Sequence, residues 1–267
     1  HAAGGLLPDR VQLGGLRRVG ERGEGKFEPI TWDEAYDEIV TRLNKVKQDY
    51  GPCSVAFYSG YNKWYRPFLQ RLCYDFGSVN YGTESSSCFT STIMSWRLAT
   101  GADFAAPDLR NAGIFLGWCY NAYYAQHLMI GGVDKARERG MKVIIVDPRI
   151  TPAVEKQCDL HLRIKPGTDC ALALGLAREL IINDWVDHDY IEKNVYGYEQ
   201  YKQYVMDFPP ERVEKLTDVP ADQIRLAARM IHENMPLAIN QSGAALVHHT
   251  NGMQTHRAVM ELSALMG

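Results

Sequence analysis

The sequence predicts an α/β protein built on parallel sheets, and three observations carry that reading. Short β-branched runs alternate with amphipathic helical stretches from Thr31 to Gly267. The run Val143-Ile144-Ile145-Val146, bounded by Gly140 and Pro148, has no polar alternation, which marks a strand buried on both faces. Acidic residues follow such runs: Asp147 closes this one, and Asp169 follows the shorter strand His161–Ile164. At 267 residues the chain is long enough for two modest cores, and two βα-rich halves fit it better than one.

Taken in order, His1 to Lys26 is glycine- and arginine-rich with little apolar periodicity, and reads as an extended arm. Thr31 with Glu34 forms a capping box for a helix through Ala35, Ile39, Leu43 and Val46, which Pro52 ends. Ser54–Ser59 reads as a strand and Trp64–Phe76 as the helix after it, a βα unit. A polar loop, Gly82–Ser87, leads to a helix over Phe89–Thr100, so Cys88 stands at a helix start where free N–H groups favour a thiolate. Taken alone, Cys88 also reads as a buried structural thiol.

Ala112–Trp118 is the next strand. A helix from about Asn121 to Arg139 and the strand from Lys142 complete a right-handed βαβ crossover. Thr168 or Asp169 caps a helix running to about Asn183, behind the turn Pro166-Gly167. Asp184–Tyr204 reads as one tyrosine-rich packing helix, and Leu216–Met230 as a helix capped at Thr217 or Asp218. Pro236–Asn240 is a short strand; a loop containing His248 and His249 then precedes a helix over about Gln254–Met266.

The totals exclude several functions. A net charge of -3 without a lysine- or arginine-rich run leaves no phosphate footprint for nucleic acid. No apolar stretch approaches the roughly twenty residues of a membrane span. The six cysteines are scattered, with no C-x-x-C pair and hence no zinc or disulfide framework, and the adjacent His248 and His249 lack a third ligand at metal spacing. The G-x-G-x-x-G turn of nicotinamide dehydrogenases is absent. Compartment, cytoplasmic or periplasmic, stays open.

What the acidic positions do has two readings. An acidic residue beyond a parallel strand commonly accepts hydrogen bonds from ribose, which suits Asp147. Asp169 is either a helix cap or a carboxylate matched to the paired N–H donors of a guanine edge.

The stretch VDPRITPAVEKQCDLHLRIKPGTDCALALG resembles the nucleotide-binding core of the molybdopterin oxidoreductases, the dimethyl sulfoxide reductase family. PDRVQLGGLRRVGERGEGKFEPITWDEA resembles the segment that follows that family's iron–sulfur domain. The resemblance covers nearly the whole chain. It implies two Rossmann-like parallel-sheet domains behind an arm at 1–28: a discontinuous first domain, 29–83 with 236–267, and a second at 84–235. It also implies an internal fragment lacking the iron–sulfur and C-terminal domains, with an iron–sulfur cluster in the missing N-terminal part.

The implied cofactor is bis(molybdopterin guanine dinucleotide) with molybdenum or tungsten. The implied activity is electron or oxygen-atom transfer on a small-molecule substrate, with an electron-transfer iron–sulfur subunit as partner. The alternatives are a non-redox hydratase of the same family and a non-catalytic nucleotide-binding α/β module. Cys88 matches the family's metal ligand and would be the catalytic residue, with Ser85, Ser86 and Ser87 ranked below it. Asp147, Arg149, Gly167, Thr168 and Asp169 match the dinucleotide site. Gly117, Trp118 and Asn121 match the family's W-G-x-N-P turn, although Ala122 replaces the usual proline and Cys119 stands where glycine is common. Ser242, Gly243, Asn251 and Gly252 match its second glycine-rich contact.

Overall fold

The computed structural model describes residues 15–267, which fall into two compact units, one running to Glu84 and one from Ser85 to Gly267. The molecule is mixed α/β with parallel sheets.

In the first unit, β1 (Gly15–Arg18) pairs antiparallel with β2 (Phe27–Ile30). The described part of the expected arm is therefore a hairpin; its remainder lies outside the described residues. Arg17 fixes the hairpin to α1 (Trp32–Tyr50) through Glu38, at 2.8 Å. The capping box opens α1 as the sequence indicates: Thr31 accepts from the Glu34 N–H, and the Glu34 carboxylate accepts from the Thr31 N–H at 2.7 Å. β3 (Phe57–Ser59), α2 (Arg66–Phe76) and β4 (Tyr81–Thr83) form a parallel βαβ unit. Gly77 ends α2 in the left-handed region that glycine favours. The first strand is shorter than the six residues expected because Pro52–Ser54 form a 3-10 turn.

The second unit holds a four-stranded parallel sheet in the order β7-β6-β5-β8, comprising β5 (Ile114–Trp118), β6 (Lys142–Val146), β7 (Leu160–Leu162) and β8 (Leu237–Gln241). Helices cover both faces, so the strands carry near-continuous apolar sequence. Ile114, Leu116, Trp118, Ile144, Val146 and Leu162 pack with α7 (Asp169–Ile182), α11 (Ala221–Glu233) and α12 (Gly252–Met266). Phe115, Val143, Ile145 and Ala238 face the other way, against α5 (His127–Glu138) and α6 (Pro152–Gln157). Each such side chain, wholly removed from water, contributes roughly 1.5–3 kcal/mol before chain entropy is set against it.

The structure relocates segment 236–267. Expected to return to the first sheet, its strand instead pairs with β5, Ile114 beside Leu237 through Trp118 beside Gln241. Ala238 and Ile239 have apolar partners on the two faces of that sheet. Other helices are broken where one was expected. Gln126 leaves helical geometry between α4 (Ala122–Ala125) and α5. Val195 and Gly197 separate α8 (His188–Asn194) from α9 (Tyr198–Val205). Asp218, left-handed at φ 63°, ends α10 (Pro210–Thr217), so neither it nor Thr217 caps α11; Pro220 occupies that cap position.

Candidate cofactor site at the carboxyl edge of the sheet

From β5 the chain builds outward to β6 and β7, then returns to the opposite side of β5 for β8. The β5–β8 junction is thus a topological switch point, where open α/β sheets leave a crevice at their carboxyl edge. The residues gathered there come from every strand of the sheet.

Asp147 directly follows β6 and is 2% exposed. Its Oδ1 accepts from the Arg149 N–H at 2.8 Å, and the Arg149 side chain, 69% exposed, reaches it at 3.5 Å. Strand β7 clamps the loop: His161 Nε2 donates to the Asp147 carbonyl at 2.8 Å and Arg163 Nε to the Pro148 carbonyl at 3.3 Å. Asp169, 4% exposed, is the first residue of α7, where free N–H groups favour an anion. Its Oδ1 accepts from the Trp118 indole N–H at 2.7 Å. Burial still pushes the Asp169 carboxyl above its ordinary value, with the Trp118 bond pulling the other way. Thr168 occupies the cap position without a side-chain cap; its hydroxyl donates to the Lys165 carbonyl at 2.7 Å.

Cys119 links the two acids. It adopts φ 53°, in the left-handed region that favours glycine. Its thiol is pushed well up by burial, then by Asp169 and Asp147, so both carboxylates bear on one point. Three buried polar atoms at this edge have no partner among the described residues: Asn121 Oδ1, Gln241 Oε1 and His249 Nε2. Unpaired buried polar groups are costly, and such a set suits a polar ligand.

Cys88 is half-buried two residues ahead of α3 (Thr90–Thr100). Its N–H donates to the Ser85 carbonyl, which also accepts from Phe89 N and Thr90 Oγ1. The loop after β8 meets this turn: His248 Nε2 donates to the Cys88 carbonyl at 3.1 Å, and Thr92 Oγ1 to the Gly243 carbonyl at 3.3 Å. The same loop starts at the sheet edge, where the Ser242 N–H donates to the Trp118 carbonyl at 3.1 Å.

The profile described as "Molybdopterin oxidoreductase" matches residues 14–267. The chain belongs to the molybdopterin oxidoreductase family. It is 34% identical over 295 residues to the probable dimethyl sulfoxide reductase chain YnfF of Escherichia coli (strain K12), covering 97% of this chain and 36% of that one. It is 30% identical over 255 residues to the thiosulfate reductase molybdopterin-containing subunit PhsA of Salmonella typhimurium (strain LT2), covering 94% and 33%. The structure of acetylene hydratase from Pelobacter acetylenicus superposes with a TM-score of 0.74 at 28% identity, over 94% of this chain and 34% of that one. The chain spans about a third of the length of the curated relatives it matches.

Within this family member, the glycines marked by the sequence divide. A Cβ on Gly117 would lie 2.7 Å from the Tyr120 Cβ, one on Gly243 would lie 2.7 Å from the Phe89 ring, and one on Gly252 would lie 2.3 Å from the Val247 carbonyl oxygen. Packing inside the protein therefore accounts for all three. Gly167, at φ 82° with open space around it, serves the turn before α7. Asn251 is exposed, and its N–H donates to His249 Nδ1 at 3.3 Å. The sequence reading missed the clamp of His161 and Arg163 and the orphaned Gln241; the only available signal was their position beside a strand's carboxyl end. Among the described residues no group of three or more His, Cys, Asp or Glu is set to hold a metal ion by itself. No described helix is long and apolar enough to cross a membrane.

Proposed function

We propose that this chain is the dinucleotide-binding part of a molybdenum or tungsten enzyme's catalytic subunit, and that it grips bis(molybdopterin guanine dinucleotide). In this reading it comprises two Rossmann-like parallel-sheet domains of a longer protein. The observation that carries the reading is the placement of two buried carboxyl groups at the switch point, Asp147 directly after β6 and Asp169 bonded to Trp118 at the end of the neighbouring β5, beside three buried polar atoms without partners among the described residues. The donor set fits the ligand. Asp169 keeps an oxygen beyond its bond to Trp118 and accepts from a guanine edge; Asp147 accepts from ribose hydroxyls; the exposed Arg149 guanidinium offers charge to phosphate.

Cys88 is the proposed metal ligand, a soft thiolate donor suited to a metal held by sulfur. When bound, the metal centre would supply the redox or oxygen-atom chemistry, and the protein would supply one thiolate donor, orientation and electrostatics. The bond from His248 to the Cys88 carbonyl fixes the thiol-bearing turn. A small-molecule substrate, an iron–sulfur cluster and an electron-transfer subunit complete the proposal for the whole protein. A second reading is the non-redox hydratase, which the 0.74 TM-score to acetylene hydratase and 32% identity to the acetylene hydratase of Syntrophotalea acetylenica favour.

The test is Cys88→Ala in the full-length protein, with molybdenum, tungsten and released guanine nucleotide measured per chain. Metal-dependent activity should disappear while guanine content stays near wild type. Surviving activity would remove Cys88 from the metal, and a wild type without guanine would remove the cofactor assignment.

A further inference from the structure

The loop after β8 contains a polar group that neither the fold nor the reading above uses. The Asn251 N–H donates to His249 Nδ1 at 3.3 Å, so in the neutral ring Nδ1 is the acceptor and the ring proton sits on Nε2. That Nε2–H is buried and has no partner among the described residues. A buried donor left unpaired costs free energy, and His249 is held in this state by its own loop, where Gly252 N–H donates to the His249 carbonyl at 3.0 Å. His249 stands just ahead of α12 and Asp169 at the start of α7, two helices that pack together on one face of the sheet and both begin at its carboxyl edge. Neighbouring Asp169, on the same sheet edge, are the unpaired oxygens of Asn121 and Gln241.

We infer that His249 Nε2–H donates to O6 of the guanine whose N1–H and 2-amino group Asp169 accepts, making His249 a specificity residue. The chemistry is complementary. A guanine edge presents two donors beside one acceptor, and Asp169 with His249 presents acceptors beside one donor. Adenine carries an amino group where guanine has O6, so its N–H would face the His249 N–H, and a buried donor facing a donor is rejected strongly. His249 thereby discriminates between bases. The inference rests on the guanine reading of Asp169, and the test separates the two.

Full-length protein stripped of its cofactor is titrated by calorimetry with GDP, IDP and ADP, for the wild type, His249→Phe, His249→Gln and Asp169→Asn. IDP keeps O6 and lacks the 2-amino group. His249→Phe should weaken GDP and IDP by the same factor, roughly tenfold or more, and strengthen the weaker ADP binding, which loses the donor that faced its amino group. His249→Gln, which restores a side-chain N–H donor, should recover most of the loss. The inference is overturned if His249→Phe leaves GDP binding intact, if ADP weakens in step with GDP, or if Gln behaves as Phe does. The Asp169 reading fails separately: wild type would then bind GDP and IDP equally, and Asp169→Asn would leave both unchanged. If none of the three nucleotides binds, both fall together.

Discussion

Trp118→Phe isolates the hydrogen bond that favours the ionised form of Asp169. The indole N–H donates to Asp169 Oδ1 at 2.7 Å with both residues buried, the regime in which a hydrogen bond to a charged group is worth about 1.5–3 kcal/mol. The smaller ring adds a void term of about 1 kcal/mol that is independent of pH. The two separate by titration. Burial raises the Asp169 carboxyl above its ordinary value and the Trp118 bond lowers it, so losing the bond raises it further. With a raised carboxyl the folded state holds a proton that the unfolded chain has lost. This contribution therefore falls as pH rises from the ordinary carboxylate range through the folded value. In the Phe variant the window extends to higher pH, and the penalty is largest near neutrality. Below the ordinary carboxylate range Asp169 is neutral, and the bond lost is worth only about 0.5–1.5 kcal/mol. Native-state amide exchange across the β5–β6 pairing, on cofactor-free protein at neutral and acidic pH, measures this locally. A penalty of the same size at both pH values would refute the charge argument and leave only the void.

Two further outcomes follow from packing and burial. A Cβ at Gly175 on α7 would lie 2.8 Å from Val213 Cγ2 on α10, so Gly175→Ala should destabilise by about 1–3 kcal/mol, and adding Val213→Ala should recover part of it in thermal melts. His256, 1% exposed and packed at the edge of Trp96, is lowered from 6.5 to about 4 by burial. The folded state excludes its proton, so its contribution is complete above about 6.5 and is lost as pH falls towards about 4. The total is at most about 3 kcal/mol, and His256→Phe should flatten that part of the stability–pH curve.

How much of this was legible in the sequence depended on the range of each signal. The capping box at Thr31, the buried run at Val143–Val146 and the placement of Asp147 and Asp169 are set by neighbours a few residues away, and local pattern suffices for them. The breaks at Gln126, Val195 and Asp218 were hidden because hydrophobic period continues across them while the backbone leaves the helix. The pairing of β8 was misread for another reason. Leu237–Gln241 is an apolar strand that suits either sheet, and its partner is chosen by side chains more than a hundred residues earlier. At Gly117, Gly243 and Gly252 the structure shows close packing against Tyr120, Phe89 and Val247, a demand that leaves the same mark in a sequence as close ligand approach.

The relocation of β8 changes what the site is made of. With Leu237–Gln241 beside β5, the following loop begins at the switch point, where Ser242 bonds to Trp118, the residue that also holds Asp169. The loop then runs to the turn before α3, where Gly243 meets Phe89 and His248 meets Cys88. One short segment thus spans from the proposed base-reading carboxylate to the proposed metal-ligating thiol, with the His249 donor directly after the second anchor. A rigid connection of this kind lets a change at one end be felt at the other, because backbone hydrogen bonds and ring packing fix both ends. The separation of thiol and carboxylate is then a property of the β8 pairing, which explains why a strand without chemistry of its own belongs to the site.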